Sequence, residues 1–215
     1  MFILSQSNSI ASQYLSELRD IHIQQDRLRF RKNLERLGEI MAYEISKNLA
    51  YTSQKIETPF IEISVPLIEK QPVIISVLRA AVPFFQGVLN FFDHADCGFI
   101  GAFRKDGEGN DPIEIELGYI AAPSIEGREV ILVDPMLATG KSFIESTRKL
   151  RKYGVPKKIH LLSVIASPEG MRYIEQHLDL PHEIWTCALD DNLNDFSYII
   201  PGLGDAGDLA FGPKL

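Results

Sequence analysis

The feature that most limits the fold is a set of short, continuous apolar runs: residues 72–78 (PVIISVL), 98–103 (GFIGAF), 129–133 (EVILV), 158–166 (KIHLLSVIA) and 184–189 (IWTCAL). A strand with one wet face alternates apolar and polar residues, so an unbroken run implies a strand covered on both faces. Helical patterns separate the runs, over residues 80–92, 141–153 and 167–178. Parallel neighbours need such crossovers, so the alternation predicts an α/β fold with a mainly parallel central sheet flanked by helices. In open sheets of this kind ligands bind beyond the carboxyl ends of the strands. The residues that directly follow each run are therefore the first place to look for chemistry.

The other segments fit around that sheet. Residues 24–49 read as a long helix, with Leu34, Leu37, Met41 and Ile45 on one face. Arg31, Lys32, Glu35 and Arg36 lie opposite; they read as a solvated face, or as cover for a sheet or a partner subunit. Residues 59–68 alternate loosely and predict a strand pair or edge element. Residues 113–119 (IEIELGY) predict a strand with one face in water, and residues 105–112 (KDGEGNDP) a mobile loop that closes over a ligand. The 215 residues read as a single domain, 1–215, with an N-terminal helical segment over 1–50 and the α/β core over 51–215.

Composition narrows the function. A net charge of −7 argues against extended binding to nucleic acid, where affinity comes from neutralising phosphates. Cys97 and Cys187 stand far apart in apolar runs and read as buried, inert thiols. The opening MFILSQSNSI lacks a basic region and a cleavage site, and no apolar run approaches the ~18 residues of a bilayer span; the expectation is a cytoplasmic chain with no membrane contact. None of the five histidines falls in a motif, and they read as structural or surface residues.

The most informative string is VILVDPMLATGKSF, residues 130–143. A buried strand ends in Asp134, a short loop follows (Pro135, Met136, Leu137, Ala138, Thr139, Gly140), and a helix starts near Lys141 or Ser142. A helix start has unpaired N–H groups and partial positive charge, and so suits a phosphate. An ATP-type P-loop would need glycine where Pro135 stands. An ordinary strand–turn–helix with Thr139 or Ser142 as the cap explains a hydroxyl and a glycine, but not the carboxylate at the strand end. The string resembles the phosphoribosyl-diphosphate motif of type I phosphoribosyltransferases, in the form DPMLATG found in the uracil phosphoribosyltransferase family. The resemblance implies that Ala138 to Ser142 hold a 5′-phosphate and that Asp134 holds the ribose hydroxyls.

A second string, YIIPGLGDAGD at residues 198–208, carries Pro201, Gly202, Gly204 and Gly207 and predicts a fixed irregular loop. It too resembles that family. The likeness implies that Ile199, Gly204, Asp205 and Ala206 contact uracil, largely through the main chain. Asp205 would also lie by the phosphoribosyl diphosphate, with Mg2+ held through diphosphate and water and no direct protein ligand. Arg79 and Arg104 end strands on the ligand side and present forks that match phosphate oxygens. The resemblance assigns both to the diphosphate, and makes Arg104 and Asp205 the catalytic pair. GVLN at 87–90 and SPEG at 167–170 are supporting matches. Three departures stand out: Ala81 and Lys141 occupy positions where the family has glycine, which implies a stiffened or distorted diphosphate loop and either an extra cation by the phosphate or a side chain that points to solvent, and residues 104–112 are not close to the common family pattern. The implied reaction is phosphoribosyl transfer to uracil, giving UMP and diphosphate, in a dimer or tetramer with a possible nucleotide effector. Two rivals stay open: a UMP-sensing module without catalysis, and a P-loop nucleoside kinase.

Overall fold

The computed structural model describes residues 1–105 and 114–214; of 102–105 and 114–117 it describes the backbone alone. The chain opens with β1 (Phe2–Ile3), α1 (Ala11–Arg19) and α2 (Arg27–Ser46), followed by a hairpin of β2 (Tyr51–Glu57) and β3 (Glu62–Ile68). Then come β4 (Val73–Leu78), α3 (Val82–Leu89), β5 (Asp96–Lys105), β6 (Glu114–Ala121), β7 (Glu129–Val133), β8 (Met136–Leu137), α4 (Lys141–Leu150) and β9 (Lys158–Ala166). The last elements are α5 (Pro168–His177), β10 (His182–Leu189), β11 (Asn192–Leu193), β12 (Ile199–Ile200) and α6 (Ala206–Phe211). The main sheet runs β1-β10-β9-β7-β4-β5-β6, with β8 paired to β9. All its pairings are parallel except β5 with β6.

The apolar runs are continuous because successive side chains enter two different cores. Ile74, Ile131, Val133, Leu162 and Val164 face a cluster filled by α2 and α3, including Leu34, Leu37, Met41 and Phe84. Val73, Ile75, Val130, Leu132, Ile159 and Leu161 face the other side, where Phe143 and Ile144 of α4 and Ile174 of α5 meet them. Every side chain named from α2 is fully buried; truncating one to alanine costs about 2–5 kcal/mol. The helix starts where its own chemistry starts it: the Asp26 carboxylate accepts from the amides of Leu28 and Arg29.

Two elements depart from the sequence expectation. The hairpin lies one strand earlier than residues 59–68: β3 is its second strand, and its partner β2 comes before the turn. Every residue of β2 (YTSQKIE) is exposed, so no buried face imprints a hydrophobic period on it. The N-terminal segment is also more than helix, since β1 joins the sheet edge with Phe2 opposite Trp185.

At the amino end of the strands, fully buried His160 sits between Glu129 and Trp185. The indole N–H donates to Nδ1 at 3.1 Å, which leaves Nε2–H to donate to the Glu129 carboxylate at 2.8 Å. That bond, helped by the Lys157 ammonium at 3.3 Å, holds Glu129 below the usual carboxylate range despite its partial burial. Burial pushes both free thiols up, Cys187 far more than half-buried Cys97.

Candidate active site

The registers Ser76↔Val133, Val133↔Leu162 and Ala166↔Leu189 align the carboxyl ends of β4, β7, β9 and β10 at one end of the sheet. Beyond them follow, in turn, Arg79, Asp134, Ser167 and Asp190.

The loop after β7 does not hang free. Met136 and Leu137 pair with Ile165 and Ala166, and the Pro135 carbonyl accepts from the amides of Val164 and Ile165. Pro135 and Leu137 are buried, so the position that a P-loop needs as glycine is here part of the sheet's extension. The chain then turns at Gly140, which has φ +76°, in the left-handed region that glycine enters without strain. Helix α4 starts there with no side-chain cap hydrogen bond at Gly140. The bland reading holds in part: Thr139 Oγ1 accepts from the Lys141 amide at 3.5 Å, the long limit of a hydrogen bond, whereas the Ser142 hydroxyl donates to Asp134 Oδ2 at 3.2 Å and is no cap. A helix start with no cap bond from Gly140 and only this long contact from Thr139 keeps the N–H donors that an anion cradle requires. Asp134 is oriented beside it, with Oδ1 accepting from the Met136 amide at 3.2 Å.

Behind the cradle stands the start of α5. Ser167 donates from Oγ to the Ala138 carbonyl at 2.6 Å and accepts from the Gly170 amide at 2.9 Å. A Cβ on Gly170 would come within 2.2 Å of the Ala138 oxygen, and one on Gly140 within 2.7 Å of the Gly170 oxygen. Serine and glycine at these two places are what lets helix and loop touch.

The C-terminal segment is less irregular than its glycines suggest. Ile199 and Ile200 pair with Leu193 and Asn192, and Ala206 begins α6, capped by Asp205 Oδ1 on the Asp208 amide at 2.9 Å. Between those anchors Gly202 has φ +67° and Gly204 φ +88°. Ile199 and Ala206 are buried, Asp205 is half-buried and Gly204 is exposed. The segment also reaches β4: a Cβ on Gly207 would lie 3.8 Å from that of Ala80, and Arg79 donates to Asp208 at 3.3 Å and to the Gly212 carbonyl at 3.1 Å. Met136 and Ala138 pack against the same core cluster as Ile199, Leu203 and Ala206. Cradle and tail thus share one end of the sheet.

The turn after β4 has an unusual backbone beside Ala81, a cis peptide between Leu78 and Arg79, but Ala81 itself is ordinary. It is fully buried with φ −74° and ψ −16°, an ordinary right-handed conformation that any residue adopts. Lys141 is half-buried in the first turn of α4. The backbone of Arg104 lies near the end of β5, past the point where Leu78 pairs with Gly101; its side chain and residues 106–112 of the expected closing loop lie outside the described residues.

Sequence reasoning missed Arg19 and Asp190. The Arg19 guanidinium meets both carboxylate oxygens of Asp190, at 2.8 and 2.6 Å, and also donates to the Gly202 carbonyl at 2.8 Å. Asp190 directly follows a buried run, as Asp134 does, and that position was the one available signal.

Among the described residues no three His, Cys, Asp or Glu side chains cluster to cage a metal. Mg2+ is habitually held by one or two carboxylates, substrate phosphates and water, and the half-buried Asp205 and Asp208 are carboxylates of the kind that suits it without a cage. No helix among the described residues is long and apolar enough to cross a membrane.

Known proteins are similar to this chain over most of its length. The chain is 42% identical to a uracil phosphoribosyltransferase of Porphyromonas gingivalis over 212 residues, 99% of this chain and 98% of the relative. It is 42% identical to one of Pyrococcus furiosus over 202 residues, 92% and 84% of the two chains. The solved structure of the AQ2163 protein from Aquifex aeolicus superposes with a TM-score of 0.85 at 29% identity, covering 97% of both chains. A model of the uracil phosphoribosyltransferase family matches residues 5–213, and the chain belongs to that family.

Proposed function

We propose that the protein transfers the phosphoribosyl group of 5-phosphoribosyl 1-diphosphate to uracil, giving UMP and diphosphate, and that the whole chain works as one domain. The observation that carries this reading is the start of α4 on left-handed Gly140, with Asp134 fixed beside it, at the sheet end where the glycine-rich tail also lies.

In this reading the amides and hydroxyls of Ala138 to Ser142 bind the 5′-phosphate. Asp134 accepts from neighbouring ribose hydroxyls, which a carboxylate can do twice. Ile199, Gly204, Asp205 and Ala206 read the base edge, mainly through N–H and C=O groups. The sugar C1–oxygen bond breaks with its electron pair leaving on diphosphate. The sugar carbon passes through oxocarbenium character, the ring nitrogen forms the new bond, and its proton goes to solvent. Arg79 and Arg104 offset the charge on the leaving group. The Arg79–Asp208 contact is exposed and screened, so a multiply charged diphosphate displaces it. Mg2+, held through diphosphate and the waters that Asp205 orients, would supply further charge neutralisation.

The test is a spectrophotometric assay with phosphoribosyl diphosphate, Mg2+ and each nucleobase in turn. UMP from uracil alone is the expected result; binding of UMP without turnover, or ATP-dependent phosphorylation of uridine, would replace this reading by a sensor or a kinase. A homo-oligomer is part of the proposal, supported by the β2–β3 hairpin with Phe60 96% exposed at its turn; light scattering measures it.

A further inference from the structure

We infer that Arg19 and Asp190 form a clamp that sets the register of the base-reading segment, so both are positioning residues for uracil; the inference rests on the assignment of residues 199–206 to uracil. The two side chains come from opposite ends of the sequence, Arg19 from the last turn of α1 and Asp190 from the end of β10. Together they take both peptide groups of one residue. The Gly202 amide donates to Asp190 Oδ2 at 2.9 Å, and the Gly202 carbonyl accepts from Arg19 Nη1 at 2.8 Å. The carboxylate side chain is only 3% exposed and the guanidinium 24%.

Asp190 is itself fixed to the sheet, its amide donating to the Ala166 carbonyl at 2.8 Å. The clamp therefore ties Gly202 to the end of β9, beside the loop that carries the phosphate cradle. Three anchors then hold the segment: the β11–β12 pairing at Ile199 and Ile200, the clamp at Gly202, and the Asp205 cap on α6. Buried Leu203 separates the clamp from Gly204 and Asp205, so a shift at Gly202 passes directly to the groups that read the base. A second contact widens the clamp: Gln24 donates to the Arg19 carbonyl at 3.1 Å, and its Oε1 lies 3.7 Å from where a Gly204 Cβ would stand.

Two features separate this from a device for stability alone. An ion pair that merely glued α1 to β10 would not need a planar fork shared between a carboxylate and a carbonyl. Nor would both partners converge on a single glycine of the tail.

The experiment uses Arg19→Lys and Asp190→Asn. Lysine keeps the charge but cannot span Asp190 and the Gly202 carbonyl in the fork geometry; asparagine keeps an acceptor for the Gly202 amide but loses the pairing charge. In both variants KM for uracil should rise on the order of ten- to a hundredfold, while KM for phosphoribosyl diphosphate stays unchanged. Amide exchange should quicken over residues 199–205 and not in β7 or β9. Parallel changes in both KM values, wild-type kinetics in Arg19→Lys, or faster exchange throughout the sheet would each overturn the clamp. If the wild-type protein fails to convert uracil, the functional reading falls by itself, and exchange still decides the clamp: local release over 199–205 sustains it, and its absence defeats it.

Discussion

Replacing Gly170 with alanine tests whether the shape of the phosphate cradle limits the reaction. The new methyl would stand 2.2 Å from the Ala138 oxygen and 3.0 Å from both the Ala138 carbon and the Leu137 oxygen. A carbon–oxygen contact settles near 3.3 Å, so something must yield by about 1 Å. Helix α5 cannot easily yield, because Ser167 caps its first turn at Gly170. Leu137 cannot either, because it is paired to Ala166. The Ala138 peptide, which leads into the cradle, must therefore move and stretch the Ser167–Ala138 hydrogen bond. A displacement of about 1 Å at a reacting centre costs on the order of a hundredfold in rate, or about 2.7 kcal/mol of transition-state stabilisation. The same overpacking removes about 1–3 kcal/mol of stability, visible as a lower melting temperature. The measurement is kcat/KM for phosphoribosyl diphosphate at saturating uracil, at a temperature where circular dichroism shows Gly170→Ala folded. Wild-type kcat/KM together with a wild-type melting temperature would mean that the cradle relaxes freely, and the argument from close approach would be wrong.

Other perturbations separate roles that one residue combines. Asp205→Ala loses both a helix cap, at about 1 kcal/mol, and the charge beside the diphosphate. Asp205→Asn keeps the cap, so it should melt like the wild type yet turn over far more slowly; wild-type turnover in it rules out a role for the charge. Arg104→Ala should lower kcat strongly with an unchanged circular dichroism spectrum, and normal rates remove it from the diphosphate site. Lys141→Gly should raise KM for phosphoribosyl diphosphate several-fold in dilute buffer, with the difference vanishing in high salt as screening grows; a salt-independent KM means that the ammonium points to solvent. Glu129, held below the usual range by His160 and then Lys157, adds stability that is present above about pH 4.5 and lost as pH falls through its lower folded-state value. Urea midpoints of Glu129→Gln should therefore vary less than those of the wild type across that acid window, and equal slopes would refute the coupling.

What could be read from the sequence follows from how local each determinant is. The runs PVIISVL and KIHLLSVIA announced their strands because burial on both faces leaves no room for polar residues. YTSQKIE is as regular a strand as either, yet it pairs only within an exposed hairpin and carries no pattern that burial would impose. The segment 130–143 was legible for a related reason: strand, carboxylate, left-handed glycine and helix start are all local, and each restricts residue type within a few positions. Ala81 itself takes an ordinary right-handed conformation, and the unusual backbone of that turn lies beside it, at the cis peptide between Leu78 and Arg79.

The clamp was hidden because Arg19 and Asp190 lie 171 residues apart, and nothing near either hints at the other. The same holds for Arg79 and Asp208, 129 residues apart. Local strings can therefore name the segments that carry the chemistry, whereas the distances between those segments are set by long-range pairs that restrict no neighbouring residue. The sugar carbon must meet a ring nitrogen held by a different segment, so the reaction depends on those long-range pairs as much as on either motif. A chain bearing both strings intact but lacking Arg19 or Asp190 would still be recognised by its motifs, and should still hold its diphosphate substrate while presenting uracil poorly.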